Sequence, residues 1–424
     1  MLSTLRNAWK VPELKKKFLW TIFLVAIFRI GIHIPIPGIS TSHLKELTGS
    51  GTLLGFYDLL SGGALSRFSI FALSVTPYIN ASIIIQLLTI AIPSLEQLSK
   101  EGEEGRKKIQ KITRILSIVI GIVLAFGAYQ MIASTGATAG ITTSEMIVVL
   151  VALVTGSTFC MWLGDQITVK GFGNGVSILI FVNIISQLPM TLMSLFTLKD
   201  TGKITIVEIA LFIVFALALL GATIFFSLAE RRVPVQYAGK AVGSKVMRGQ
   251  STHIPLSIIG SAVIAIIFAM SVMMFPKTIA MFFQGRDWAT WIVSSKYSIF
   301  NEKTWMYPVC YSILTIFFTW FYTQITFKPD EMAENLHKSA GFVPGIRPGE
   351  ATEKYFEKVL TKVSLIGGIF AALLAVLPIL ISNTSLEGIQ FGGTSLLIVV
   401  GVALDFSRQL DSQLVMRHYQ GFLK

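Results

Sequence analysis

Charge is what this sequence has least of. Only 14% of its 424 residues are Asp, Glu, Lys or Arg, where a soluble domain carries about 25%. With 53% apolar residues, the chain reads as an integral membrane protein with several spans, and soluble classes are excluded. Cysteine is nearly absent: Cys160 and Cys310 each stand alone in an apolar run, which argues against a disulfide framework or a metal site. The histidines, His33, His43, His253, His337 and His418, are scattered without metal-ligand spacing. Carboxylates are almost missing from the apolar runs, with Asp165 and Asp405 near run ends. An ion-coupled transporter needs one at mid-depth to hold its proton or cation. The glycine-rich stretch Gly171-Phe172-Gly173-Asn174-Gly175 lacks the Gly-Lys-Ser/Thr ending of a phosphate-binding loop; it predicts a tight turn. The N-terminus lacks a short apolar core followed by a small-residue cleavage site, so no cleavable signal is expected. No catalytic constellation, cofactor site or metal site emerges, and the chain is not expected to be an enzyme.

What is there is a series of apolar runs. About 20 helical residues cross the roughly 30 Å hydrocarbon core, and ten spans fit: about 18–36, 68–92, 115–133, 146–164, 176–196, 205–229, 254–275, 305–327, 360–382 and 393–407. Ser251-Thr252-His253 before Ile254-Pro255 predicts a helix start for the seventh. Residues 1–17 form a basic amphipathic lead, and 409–424 a tail. With the N-terminus inside, the inner segments hold 26 of the 35 Lys and Arg and the outer ones 8, which places both ends in the cytoplasm. The remaining one, Arg29, lies inside the first span, close enough to its outer boundary to be expected to snorkel. Trp288, Trp291 and Tyr297 in an outer region suit a membrane interface. Spans one to five (18–198) and six to ten (199–408) suggest two halves of opposite orientation, with a site at their interface.

One stretch is unlike the others. A short apolar piece from Leu53 to Leu60, carrying Asp58, breaks at Ser61-Gly62-Gly63 and leads past Arg67 into residues 68–95, which hold no charged side chain. A half-segment joined through glycines to a span predicts a broken or re-entrant element, tolerated at membrane depth only where protein buries it or a wet cavity receives it. The span after it carries Ser74, Thr76, Asn80, Ser82 and Gln86, with Val75, Ile79 and Ile83 four apart on one face. That is compatible with ordinary bundle packing, and with a helix lining a gate.

Seven motifs, in order, carry a resemblance. They are Ile34-Pro35-Ile36-Pro37-Gly38, Ser61-Gly62-Gly63-Ala64-Leu65-Ser66-Arg67, Pro77-Tyr78-Ile79-Asn80-Ala81-Ser82-Ile83-Ile84-Ile85-Gln86, Gly173-Asn174-Gly175, Gln250-Ser251-Thr252-His253, Gly341-Phe342-Val343-Pro344-Gly345-Ile346-Arg347-Pro348-Gly349 and Phe391-Gly392-Gly393-Thr394-Ser395. Together they resemble the bacterial SecY family, the channel subunits of the protein-conducting translocon. The resemblance implies an all-α membrane protein of ten transmembrane helices, in two pseudo-symmetric inverted halves around an hourglass pore. Residues 54–67 would be a short plug, with Leu54, Phe56, Leu59, Leu60, Gly62, Gly63 and Arg67. Val75, Ile79, Ile83, Val176, Ile180, Ile267 and Ile398 would form the pore ring, which seals loosely around a passing chain and gates by dewetting. Asn80, Gln86 and Phe275 would mark a lateral gate toward lipid. Cytoplasmic loops 230–252 and 328–358, with Arg231, Arg232, Lys240, Lys245, Arg248 and Arg347, would dock the ribosome, through rRNA phosphates, or the SecA motor. SecE and SecG would be partner subunits, signal peptides and nascent polypeptides the cargo, membrane lipids the surroundings, and the bacterial plasma membrane the location. A small-solute secondary transporter and a motor-independent insertase are the alternatives.

Overall fold

The computed structural model describes residues 9, 11–37, 58, 61–133, 142–200, 202, 205–237, 241–242, 245–246, 251–260, 262–283, 286–295, 297–301, 304–382 and 393–421. The chain is predominantly helical, and a helix falls on each of the ten apolar runs. In order these are α1 (Pro12–Ile32), α2 (Thr76–Ala91), α4 (Glu103–Ala133), α5 (Thr143–Lys170), α6 (Gly175–Asp200), α7 (Ile206–Leu228), α8 (Ala262–Phe282), α10 (Met306–Phe327), α12 (Glu350–Ser382) and α13 (Gly393–Gly421). Three short helices lie between them: α3 (Pro93–Lys100), α9 (Asp287–Ser294) and α11 (Pro329–Lys338). Among the described residues six helices are long and apolar enough to cross a membrane, and a seventh if α2 and α3, which meet at 102°, count as one broken span.

Local chemistry sets where several helices begin. α7 starts with a reciprocal cap: Glu208 N–H donates to Thr205 Oγ1, and Thr205 N–H donates to Glu208 Oε2 at 2.7 Å. Thr142 and Glu145 do the same for α5. α3 begins at Pro93, whose missing N–H costs nothing in a first helical turn.

Two runs depart from the expected helices. The second span was expected from residue 68, but the helix begins only at Thr76. Residues 64–75 instead form buried turns, with Phe68 (φ 45°) and Ser74 (φ 48°) in the left-handed region. This backbone finds partners outside a helix: Ile36 N–H donates to Phe68 O at 3.0 Å, and Ile70 N–H to Ile34 O at 3.1 Å. Pro35 and Pro37 can donate nothing there, so the apolar pair between and before them carries the contact. Gly156 of α5 makes the close approach possible, since a Cβ there would collide with the Ile70 carbonyl.

The seventh span was expected over 254–275. Residues Ser251–Ser257 are instead strand β4, paired antiparallel with β1 (Glu230–Tyr237) in the register Arg231↔Leu256 and Val233↔Ile254. The helix begins at Ala262 and continues past Pro276 to Phe282. A short pair, β2 (Ala241–Val242) and β3 (Lys245–Val246), lies between the two strands, and β5 (Gly341–Phe342) adds to the other edge of β1, giving the order β4-β1-β5. β5 reaches only Gln236 and Tyr237, so Pro234 sits where β1 has a neighbour on one side only, a position where its missing N–H is tolerated. Alternation decides the face. Val233 and Val235 point inward with Leu256 onto Ala333 and Leu336 of α11 and Phe356 and Leu360 of α12, while Arg232, Pro234 and Gln236 on the other face are exposed, as is Arg231 near the strand's start. In water each such buried aliphatic contributes about 1.5–3 kcal/mol. Strands β1, β4 and β5, helix α11 and the start of α12 are therefore one small folded unit.

Candidate functional site

Helices α1, α2, α5, α6 and α13 and the turns before α2 share one apolar cluster. It takes Leu24, Phe28 and Ile32 from α1, Ala64 and Phe71 from the turns, Val75 at the start of α2, Cys160, Leu163 and Ile167 from α5, Ile178 to Ile180 and Ile184 from α6, and Ile398 from α13. Ile79, Val176 and Val263 pack against it. Both halves of the chain thus contribute to a neutral, aliphatic centre. Of the seven residues assigned to a ring, Val75, Ile79, Val176, Ile180 and Ile398 meet here. Ile83, a turn further along α2, is buried, and Ile267 is half-buried on α8; both stand apart from this cluster.

The segment assigned to a plug enters the same cluster through Ala64, which is 0% exposed. Its Asp58 is the one buried acid among the described residues, and its carboxylate is used locally: Oδ1 accepts from Ser66 N–H at 2.8 Å, while Asp58 O accepts from Gly63 N–H at 2.8 Å. Gly62 and Gly63 are buried, and Ser66 and Arg67 half-buried. Leu54, Phe56, Leu59 and Leu60 lie outside the described residues.

A polar contact joins α2 to α8. Ser271 Oγ on α8 donates to Asn80 Oδ1 on α2 at 3.1 Å. Gln86 is exposed on α2, and Phe275 is 66% exposed on α8, so neither joins that contact. Ser271 was not singled out from the sequence; its only signal was a lone hydroxyl in an apolar run. Arg29 also differs from expectation. Rather than snorkelling outward, its Nη1 donates to Asn183 Oδ1 on α6 at 3.5 Å.

On the unit built around β1 and β4, Arg231 and Arg232 stand exposed on β1, and Arg232 pairs with Glu230 at 3.1 Å. Arg347 is exposed in the loop after β5, between Gly345 (φ +82°) and Gly349 (φ +96°), with its carbonyl accepting from Thr352 Oγ1 at 2.9 Å. Val343, buried at the loop's base, anchors it. At the start of α12, the hydrogen bond from Lys354 holds the Glu350 carboxyl below its usual range. Lys240 and Arg248 lie outside the described residues, and Lys245 is placed on β3 by its backbone alone. Among the described residues no group of three His, Cys, Asp or Glu could hold a metal ion.

The SecY family model matches residues 69–407. The chain is 39% identical over 435 residues to the protein translocase subunit SecY of Thermotoga maritima, covering 100% of this chain and 98% of the relative. It is 40% identical over 418 residues to that of Escherichia coli, covering 97% and 94%. Among solved structures it is similar in fold to one described as a protein conducting channel, with TM-score 0.67 at 17% identity, covering 95% of this chain and 93% of that one. A SecY structure described by a plug domain that stabilises the closed state also matches at 0.67, with 18% identity and coverage of 95% and 92%. Sec61 in a canine ribosome-channel complex matches at 0.62, with 17% identity and coverage of 95% and 93%. A match over most of its length, with relatives this similar from end to end, makes the chain a member of the SecY family.

Proposed function

We propose that this chain is a protein-conducting channel, which passes unfolded polypeptides across the bacterial plasma membrane and releases apolar segments sideways into lipid. The observation that carries it is the central cluster: an uncharged aliphatic constriction assembled from both halves, with a separate turn of the chain, around Ala64, inserted into it. A neutral greasy waist excludes water and ions when closed, yet has nothing that would bind a passing chain tightly. The ring is Val75, Ile79, Val176, Ile180 and Ile398, with Ile83 and Ile267 flanking it. Residues 54–67 are the plug. The seam at Asn80 and Ser271 is the lateral gate, where Gln86 and Phe275 face outward toward lipid.

The channel supplies no energy of its own. Its work comes from the SecA motor or a translating ribosome, docked on the folded unit of loops 230–257 and 328–360 through Arg231, Arg232 and Arg347, with Lys240, Lys245 and Arg248 adding to the basic surface. SecE and SecG complete the assembly. Ten spans, in halves 18–198 and 199–408, leave both termini in the cytoplasm.

The test is reconstitution. Proteoliposomes holding the chain with SecE and SecG should take up an unfolded secretory precursor only when SecA and ATP are present. Uptake of a small solute, with no precursor transport, would favour a secondary transporter. Insertion of membrane segments without any motor, and no leak on deleting residues 54–67, would favour an insertase.

A further inference from the structure

We infer that Asn183 and Gln187 of α6, with Arg29 of α1, form a polar socket that holds the plug by its Gly62-Gly63 turn and sets how readily the resting channel opens. This rests on the reading of residues 54–67 as a plug. Asn183 and Gln187 are four apart, hence on one face of α6. That face runs on from the aliphatic waist at Ile180 and Ile184. Yet Asn183 is 0% exposed and Gln187 8%, and carboxamides at such depth persist only where they are partnered. The Arg29 guanidinium, at 3.5 Å from Asn183 Oδ1, ties α1 to α6 at this level.

The plug turn meets this group directly. A Cβ on Gly62 would fall 2.5 Å from Asn183 Oδ1 and 2.9 Å from Arg29 Nη1, and one on Gly63 would fall 2.9 Å from Gln187 Nε2. Both glycines have positive φ, +71° and +83°, a region glycine enters without steric cost. So backbone faces side chain with nothing between. The turn is also braced from within: Ser61 Oγ donates to Asp58 O at 3.0 Å, and Ser66 Oγ to Gly63 O at 3.1 Å. A braced turn seated on three converging polar groups is a docking contact, and its strength belongs to the closed state alone. When the plug leaves, the contact is lost whole. Asn183 and Gln187 are therefore positioning residues of the gate.

The experiment compares resting ion conductance in planar bilayers holding the complex with SecE and SecG, together with transport of precursors with intact or defective signal sequences. Asn183→Leu combined with Gln187→Leu should raise resting conductance about tenfold, the effect of losing two neutral polar contacts beside the turn's backbone, and admit defective precursors, while intact ones still cross. Asn183→Asp, which keeps an oxygen facing Gly62 and Arg29, should retain the seal and the rejection of defective precursors; leak in this variant equal to that of the double Leu variant overturns the socket. Wild-type conductance in the double Leu variant, while the chain lacking residues 54–67 leaks, overturns the socket and leaves the channel reading standing. If the deletion does not leak either, the plug reading falls and the socket with it. Should the double variant fail to assemble, Gly63→Ala decides: its φ of +83° disfavours any side chain, and the added Cβ, 2.9 Å from Gln187 Nε2, should unseat the turn and make the channel leak. A tight seal in Gly63→Ala alone overturns the inference.

Discussion

Ser271 and Asn80 face each other across the seam between the two halves, hydroxyl to carboxamide, at 3.1 Å. Ser271 sits in an otherwise apolar stretch of α8, between Met270 and Val272, so this contact is a local polar stitch between the two helices. In lipid no hydrophobic force drives helices together, and interhelical hydrogen bonds matter more for alignment than for bulk stability.

Ser271→Ala should therefore ease the seam open without unfolding the chain. A neutral hydrogen bond is worth about 0.5–1.5 kcal/mol net, so precursors with weakly apolar signals should cross several-fold better. The assay is the ratio of weak- to strong-signal transport in proteoliposomes. An unchanged ratio would remove the stitch from the gating account.

Ile180→Asn places a carboxamide inside the central aliphatic cluster. Burying it without a partner costs about 1–3 kcal/mol, and the closed waist should take up water instead. Resting ion leak should rise, measured as dissipation of a proton gradient across vesicles. Ile224→Asn, on the exposed surface of α7, is the matched control and should leave the leak unchanged.

Arg347→Glu should abolish SecA-driven or ribosome-driven transport and leave assembly intact. The side chain is exposed, and surface substitutions of this kind usually change stability by no more than about 0.5 kcal/mol. Co-purification with SecE and SecG together with the thermal midpoint checks assembly; precursor uptake checks function. Normal uptake by this variant would refute docking at the loop.

Gly156→Ala tests the packing that supports the turns before α2. The added methyl would strike the Ile70 carbonyl, and overpacking of this sort typically costs about 1–3 kcal/mol. The yield of folded protein should fall and its thermal midpoint drop. A midpoint equal to that of the wild type would mean that the close approach of α5 to residue 70 is absent.

The spans were legible because a run of about 20 apolar residues has few other solutions, and the basic bias between them could be counted. The clustering of Val75, Ile79, Val176, Ile180 and Ile398 could not have been read from spacing alone; it needed the family resemblance, because the contacts join segments more than a hundred residues apart. Three features escaped for distinct reasons. Residues 68–75 are apolar enough for a helix, but Phe68 O and Ile70 N–H bond to Ile36 and Ile34, a tertiary partner no local pattern reveals, and the residues around them close short turns. Residues 251–257 looked like a helix start because Ser, Thr and Pro suit one; the inward alternation of Val233 and Val235 on the partner strand was the opposing signal. Asn183, Gln187 and Ser271 are single polar residues in apolar helices, and only the geometry distinguishes them from ordinary bundle contacts.

The most direct test places photo-crosslinkers at Val75, Ile180 and Ile398, and at Leu211 and Val214 on the exposed face of α7, in a complex with a precursor stalled halfway across. The account requires the precursor to cross-link from Val75, Ile180 and Ile398 and not from α7. Cross-links from Leu211 or Val214, with none from the aliphatic cluster, would contradict it.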